Sequence, residues 1–420
     1  MPLTGCVRPV EIQCSLERIS MYSRSLSCAL LFAVLASPAR SAGLTESEAL
    51  RLGLSRPEIS ERQQARRGEA EADLLEAGTW SNPTLELNQD RTGTAGERTW
   101  QLNQAVDISG RRGLRETAAR HRIRATEAEN LARQDRHSAE LRLAFHELLR
   151  QQEQTRAVSV WAERFGHIDT VVAKLAKAGE VSGYDRRRLA REQRSAEAKL
   201  AEFRAGEERS RARLAAQIGR SPEEGVAGKL LPESPQALPA LQIQLMARPE
   251  FAALSARVEA AQNERAAAQR NLPELTVGVG RKQLVDGPQR DNGNLLMLSF
   301  SLPLFDRQQA KDRRAAAQAQ AAQAELSLAR QHAEGALLGL HRQATQLIDA
   351  ATRYRAEAVA PSDELVRIAE SAYRAGESTV LELLDAYKGA LEAELTALDL
   401  EWMARAARIE LDQLTGNYPQ

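Results

Sequence analysis

Met297-Leu298-Ser299-Phe300-Ser301-Leu302, closed by Pro303, is the stretch on which the fold turns. Its leucines and phenylalanine fall on every second residue, the period of a β-strand with one apolar face. Pro303 ends that strand, Asp306 offers an N-cap oxygen, and an alanine-rich helical run continues to Ala375. The chain then turns at Gly376-Glu377-Ser378 and returns along another helix. Few compact folds use strand, very long helix, tight tip and helix in that order, and the same parts occur once more, earlier in the chain.

The duplication is detailed. Arg56-Pro57-Glu58 recurs as Arg248-Pro249-Glu250, each opening an amphipathic helix with proline in its first turn. Asn82-Pro83-Thr84-Leu85 recurs as Leu272-Pro273-Glu274-Leu275, Ala178-Gly179-Glu180 as Ala375-Gly376-Glu377, and Gln217-Ile218-Gly219 near the end as Gln413-Leu414-Thr415-Gly416. The offset stays between 190 and 197, so order and spacing are both kept. Each half reads helix, strand, loop, strand, long helix, tip, long helix. Repeat 1 occupies 43–220, with strands at 84–90 and 98–106 around a loop at 91–97 and a tip at 178–183. Repeat 2 occupies 240–420, with strands at 275–280 and 294–302 around a polar loop at 283–293 and a tip at 375–379. The proline- and glycine-bearing 221–239 is the linker.

From about 113 to 177 there is no proline, and Leu141, Phe145, Leu148, Trp161, Phe165, Ile168, Val172 and Leu175 mark an apolar seam. At 1.5 Å per residue such a helix is on the order of 100 Å long. The last helix carries the seam Val380, Leu384, Tyr387, Leu391, Leu395, Leu398 and Trp402. A narrow seam on a charged helix means coiled-coil packing against other helices. Pro361 is expected to kink the second long helix. The fold class is therefore mainly α with a small β part: long helical hairpins plus four strands in two repeats.

Composition agrees. Aromatics make up 4% of the 420 residues, and 57 basic residues balance 57 acidic ones. A net charge of zero argues against nucleic acid as a partner, because phosphate binding needs a basic surplus. Residues 1–39 read as a signal peptide, with Ala42 a second cleavage point; either Met21 is the true start or 1–20 is a long n-region. Cys6, Cys14 and Cys28 all lie in that segment, so the mature chain has no thiol. It also has no run of ~18 apolar residues, so any membrane role falls to strands. Four strands cannot close a barrel, and open edges in lipid cost several kcal/mol per group. Such strands must be pooled between chains; three copies give twelve, wide enough for a pore.

These residues resemble the TolC-type outer-membrane efflux channels. Pro83, Pro273, Ser301-Leu302-Pro303-Leu304-Phe305, the tip Tyr373-Arg374-Ala375-Gly376-Glu377-Ser378-Thr379-Val380 and the following Leu383-Leu384-Asp385-Ala386 carry the resemblance over nearly all of the mature chain. Gly96-Glu97-Arg98-Thr99 and Asp107-Ile108-Ser109-Gly110-Arg111-Arg112-Gly113 are most similar to the CzcC-like, heavy-metal-cation branch. The resemblance implies a homotrimer with a twelve-stranded barrel among outer-membrane lipid and a helical tunnel in the periplasm. It also implies a periplasmic adaptor (membrane fusion) protein at the tips, an inner-membrane transporter of the RND type, no cofactor and no catalysis. Alternatives are a type I secretion duct for polypeptides and a structural periplasmic coiled coil, against which the paired strands count; a hydrolytic enzyme fits least.

In the resemblance Glu382 and Asp385, three apart on one helix face, form carboxylate rings at the tunnel mouth, with Tyr373 beside them. At roughly 8 Å between symmetry mates, each pair repels by about 0.5 kcal/mol in water and about 2 kcal/mol at an effective dielectric of 20. The bland reading is acidic residues favoured near a helix N-terminus. Gly179, Glu180, Ser182 and Gly183 with Gly376, Glu377, Ser378 and Thr379 are the adaptor-docking tips, and turn chemistry alone explains them equally well. The six histidines lack any i,i+4 zinc pair and read as solvated helix face, so no metal site is assigned.

Overall fold

The computed structural model describes residues 43–177, 182–302 and 304–417. The expected signal segment, Ala178, Gly179, Glu180, Pro303 and the side chain of Leu175 lie outside the described residues. Repeat 1 comprises α1 (Glu46–Leu54), α2 (Pro57–Gly78), β1 (Thr84–Thr92), β2 (Ala95–Val106), α3 (Arg111–Lys177) and α4 (Gly183–Ile218). Repeat 2 comprises α5 (Leu238–Met246), α6 (Pro249–Ala268), β3 (Leu275–Asp286), β4 (Gln289–Phe300), α7 (Gln309–Tyr354), a π-turn (Arg355–Val359), α8 (Ser362–Arg374) and α9 (Val380–Thr415).

Local chemistry sets the helix ends alike in both repeats. Arg56 and Arg248 are extended N-caps, each followed by proline at the first helical position, where a missing N–H costs nothing. Gly219 and Gly416, at φ 79° and 74°, close α4 and α9 in the left-handed conformation that glycine adopts without a steric penalty. The long helices start differently. Gly110 (φ 71°) precedes α3, whereas Gln308 (φ 62°) precedes α7 and is the one described non-glycine residue with positive φ. Asp306 stands before α7 without capping it; its Oδ1 accepts from the Gln308 backbone N–H at 2.8 Å, corrects the expected N-cap by two residues, and props the turn.

The four strands form one antiparallel sheet in the order β1-β2-β3-β4. Thr92 pairs with Ala95 and Asp286 with Gln289, so both hairpins are two-residue loops, Gly93-Thr94 and Gly287-Pro288. Positive φ at the first loop residue only (66° and 60°) is the pattern of a type II′ turn, whose twist matches the flanking strands. The expected loops 91–97 and 283–293 are thereby corrected: most of their residues are strand. Polar residues on both faces imitate a loop, and the sequence alone shows no partner strand. β4 in turn ends at Phe300 rather than 302.

Register assigns every side chain to a face. One face is apolar, with Leu85, Leu102, Val279 and Leu296 in one cross-strand row and Leu298 and Phe300 below it. All six are exposed. The opposite face is mostly polar: Gln101 and Asn103 are buried there, lying over Gly278. A Cβ at Gly278 would collide with both side-chain amides. Gly278→Val is expected to lose about 1–3 kcal/mol of sheet stability by overpacking. The sheet should unfold at lower denaturant concentration while far-ultraviolet helix content stays constant.

The helices pack along three apolar clusters. A distal one joins Trp161, Phe165 and Val172 of α3 and Leu189 of α4 to Val366, Leu383, Leu384 and Tyr387 of the second hairpin. A middle one gathers α1, α3, α4 and Leu398, and a third holds α5, α6, α7 and the end of α9. The segment expected as a linker is a packed belt. Val226 and Leu230 are buried, Leu44 bridges to Val226, and Arg405 donates to the carbonyls of Lys229, Leu230 and Leu231. α5 already begins at Leu238, inside the expected 221–239.

Pro361 interrupts the second long helix as its missing N–H requires. α7 ends at Tyr354, Ala360 N–H reaches back five residues to the Arg355 carbonyl (3.0 Å), and α8 starts at Ser362. Arg355 anchors the π-turn to α9 through Glu401 (2.5 Å) and Glu394 (3.2 Å). α3 has no such break over its 67 residues.

His146 overturns the solvated-histidine reading for one of the six. It is 2% exposed, and its Nε2 lies 3.0 Å from Glu46. Arg142, 1% exposed, joins Glu46 (2.6 Å) and Asp412 (3.1 Å), and Arg408 completes Asp412 (2.8 Å). The network ties α1 and α3 to α9, and a sequence window cannot reveal partners 270 residues apart. Burial opposes ionisation of Glu46, but His146 and Arg142 outweigh it and hold the carboxyl at about 2. Burial, helped by Arg405 and Arg142, lowers His146 below the usual imidazole range despite Glu46. The unfolded chain therefore binds a proton at His146 that the folded chain refuses. Stability is full above the ordinary imidazole pKa and falls as pH drops through the lowered one; Glu46 adds a further loss only in strong acid. The melting temperature should fall between pH 7 and pH 5, and His146→Gln should flatten that slope.

Candidate functional site at the helical tips

The second tip is built from backbone outward. α8 ends in a Schellman-type turn: Gly376 sits at φ 76°, and Glu377 N–H donates to the Ala372 carbonyl at 2.9 Å. Thr379 then caps α9 in a capping box. Its Oγ1 accepts from Glu382 N–H (3.3 Å), while the Glu382 carboxylate accepts from Thr379 N–H (2.8 Å) and Oγ1 (3.2 Å). Glu382 is thus an exposed carboxylate tied to the turn, and Asp385, also exposed, stands on the next turn of α9.

The first tip repeats this chemistry at its described end. Ser182 caps α4, accepting from Asp185 N–H at 3.2 Å and donating to Asp185 Oδ2 at 2.7 Å. Gly183 is the first residue of α4. Ser182 and Asp185 correspond to Thr379 and Glu382 at the same offset of 197 that relates Gly179 to Gly376. Asp185 is the residue that sequence reasoning missed, although this offset points to it.

The structure brings the two tips together around Tyr373. Its ring packs against the distal cluster, and burial, followed by the nearby Asp185 charge, pushes its hydroxyl above the usual phenol range. The Tyr373 hydroxyl and the Ser378 Oγ are buried without a hydrogen-bond partner among the described residues. Deeper in the bundle, Tyr387 donates to Glu370 at 2.5 Å, Arg374 pairs with Glu370 at 3.2 Å, and Lys388 reaches across to Glu192 at 2.6 Å. Tyr387 is also pushed up, by burial and then by Glu370. Glu180 and Gly179 are not among the described residues, so Ser182, Gly183, Gly376, Glu377, Ser378 and Thr379 carry the tip geometry. The arrangement is one of turns, caps and charge, with no group of three metal-ligating side chains among the described residues.

Residues 240–417, most of repeat 2, match the outer membrane efflux protein family. The second repeat is thus similar to outer membrane efflux proteins. Over 355 residues it is 27% identical to the cobalt-zinc-cadmium resistance protein CzcC of Cupriavidus metallidurans, covering 82% of this chain and 84% of that one. The fold matches the outer membrane protein VceC of Vibrio cholerae with a TM-score of 0.72, at 17% identity over 88% of this chain and 96% of that one. It matches the Campylobacter jejuni CmeC outer membrane channel with a TM-score of 0.73, at 12% identity over 95% and 94%. No described helix is long and apolar enough to cross a membrane.

Two substitutions test the tip chemistry. Thr379→Ala removes a capping oxygen and should cost about 1 kcal/mol. Gly376→Val forces a β-branched residue into positive φ and should cost about 1–2 kcal/mol. Hydrogen exchange at residues 376–384 should accelerate in both, while α3 and the middle cluster keep their protection.

Proposed function

We propose that three copies of this chain form the outer-membrane exit duct of a tripartite efflux pump. The observation that carries this reading is the sheet itself, whose edge strands β1 and β4 are each paired on one side only. Three such sheets closed edge to edge satisfy every ladder group, and their apolar faces then meet lipid as one band. The helical hairpins continue the duct through the periplasm. Their tips, Gly179, Glu180, Ser182, Gly183, Gly376, Glu377, Ser378 and Thr379, dock a periplasmic adaptor that links the duct to an inner-membrane transporter of the RND type. Heavy-metal cations are the cargo; the 27% identity to a cobalt-zinc-cadmium resistance protein supports this over polypeptide secretion. Crosslinking of detergent-extracted outer membranes should yield a trimer; monomers only, or recovery wholly in the soluble periplasm, would overturn the duct.

Glu382 and Asp385 form the gate of that duct, together with Tyr373, whose buried hydroxyl has no hydrogen-bond partner among the described residues and feels the Asp185 charge. Six carboxylates from three chains oppose closure unless cations offset them. Divalent cations added from the periplasmic side should therefore block single-channel conductance in planar bilayers. Glu382→Gln with Asp385→Asn should abolish the block and lower cation selectivity. Glutamine still serves a capping box, so the pair removes charge while keeping the turn. Full block in the double variant would place the gate elsewhere.

A further inference from the structure

The sheet separates its charges by face. Above the apolar rows, toward the hairpins, one face of the four strands carries Arg91, Arg98, Arg281 and Arg290 and no carboxylate. The other face carries Glu86, Asp90, Glu97, Asp286 and Asp291 against the single Lys282, which is paired with Glu97 at 2.7 Å. The arginines stand on the same side of the sheet as Leu85, Leu102, Val279, Leu296 and Phe300, because register and the two-residue period leave no choice. All four are exposed, and none of their guanidinium groups has an ion-pair or hydrogen-bond partner among the described residues.

Their height on the sheet is also fixed. The helices join the strands at the end opposite the hairpins, so with the helices in the periplasm the hairpin end points outward. Arg281 lies two residues above Val279, and Arg290 lies six above Leu296, roughly 20 Å along the strand. Trp100 is paired with Arg281 at the upper margin of the apolar rows, where an indole favours a membrane interface. Fixed positive charge facing lipid just above a hydrocarbon band meets the headgroup layer. Guanidinium groups there favour phosphate, which they bind with two parallel N–H donors.

We propose that Arg91, Arg98, Arg281 and Arg290 form a binding belt for the phosphorylated headgroups of outer-leaflet lipopolysaccharide. The inference rests on the outer-membrane reading of the sheet and goes beyond it by naming a lipid, a leaflet and the residues that hold it. The acidic inner face repels the same phosphates, so the sheet itself keeps anionic lipid outside and leaves the lumen attractive to cations.

The test measures binding of bisphosphorylated rough lipopolysaccharide to the purified full-length trimer by native mass spectrometry and titration. Replacing all four arginines by glutamine should weaken binding at least about tenfold. Dephosphorylated lipopolysaccharide should bind the wild type as weakly as the intact lipid binds that variant, and millimolar inorganic phosphate should not displace the lipid. The same four positions changed to lysine should recover part of the affinity, and Arg307→Gln with Lys311→Gln, at the periplasmic end, should leave it unchanged. If the four-glutamine variant fails to insert, Arg98→Gln with Arg281→Gln and the four-lysine variant decide by the same measurement. Unchanged affinity in inserted trimers, or equal binding of the dephosphorylated lipid, overturns the belt while leaving the duct intact. Recovery of the wild-type chain only in the soluble periplasm overturns the duct reading and the belt with it.

Discussion

Unpaired backbone at the two edges of a four-stranded sheet is the constraint on which this protein depends. Each ladder group left open in hydrocarbon costs several kcal/mol, so the sheet is stable in a membrane only when copies complete one another. The exposed apolar face asks for lipid and the exposed edges ask for more strand. Only a closed cylinder answers both. The Gly93-Thr94 and Gly287-Pro288 hairpins keep the four strands in tight register, and Gly278 leaves room for the Gln101 and Asn103 amides.

The duplication explains much of the rest, and its departures are informative. Equivalent glycines end α4 and α9, equivalent arginine–proline pairs open α2 and α6, and equivalent hydroxyl–carboxylate caps open α4 and α9. The copies differ where the second hairpin is broken by the π-turn and Pro361 while α3 runs unbroken. They differ again where Gln308 takes the backbone conformation that Gly110 takes in repeat 1. With its amide oriented toward Arg111, the Gln308 oxygen accepts from that guanidinium (3.0 and 2.6 Å), a tie between repeats that holds the strained residue.

Charge is used in three ways. Inside the bundle Arg142, Glu46, His146, Asp412 and Arg408 form one ion-paired set; breaking such a buried set by removing one partner is worth about 3–5 kcal/mol. At the tips Glu382 and Asp185 are spent partly on capping, so turn chemistry and a charged mouth are compatible uses of the same carboxylates. On the sheet, positive and negative residues are sorted to opposite faces by the strand period alone.

The sequence by itself determined the duplicated order of parts, because proline, glycine and apolar periodicity act within one or two turns. Pro57, Pro249, Pro361, Gly376 and the alternation from Met297 to Phe300 needed no tertiary knowledge. Tertiary structure decided what depends on partners remote in sequence. Residues around Arg91, Glu97 and Gln283 are strand because other strands pair with them, although their polarity reads as loop. The segment at 221–237 is a packed belt because Arg405 and Leu44 meet it from distant helices. His146 is buried because Glu46, a hundred residues away, takes its hydrogen bond. Local steric preference is written residue by residue, whereas burial and pairing are free energies shared between segments and exist only once those segments meet.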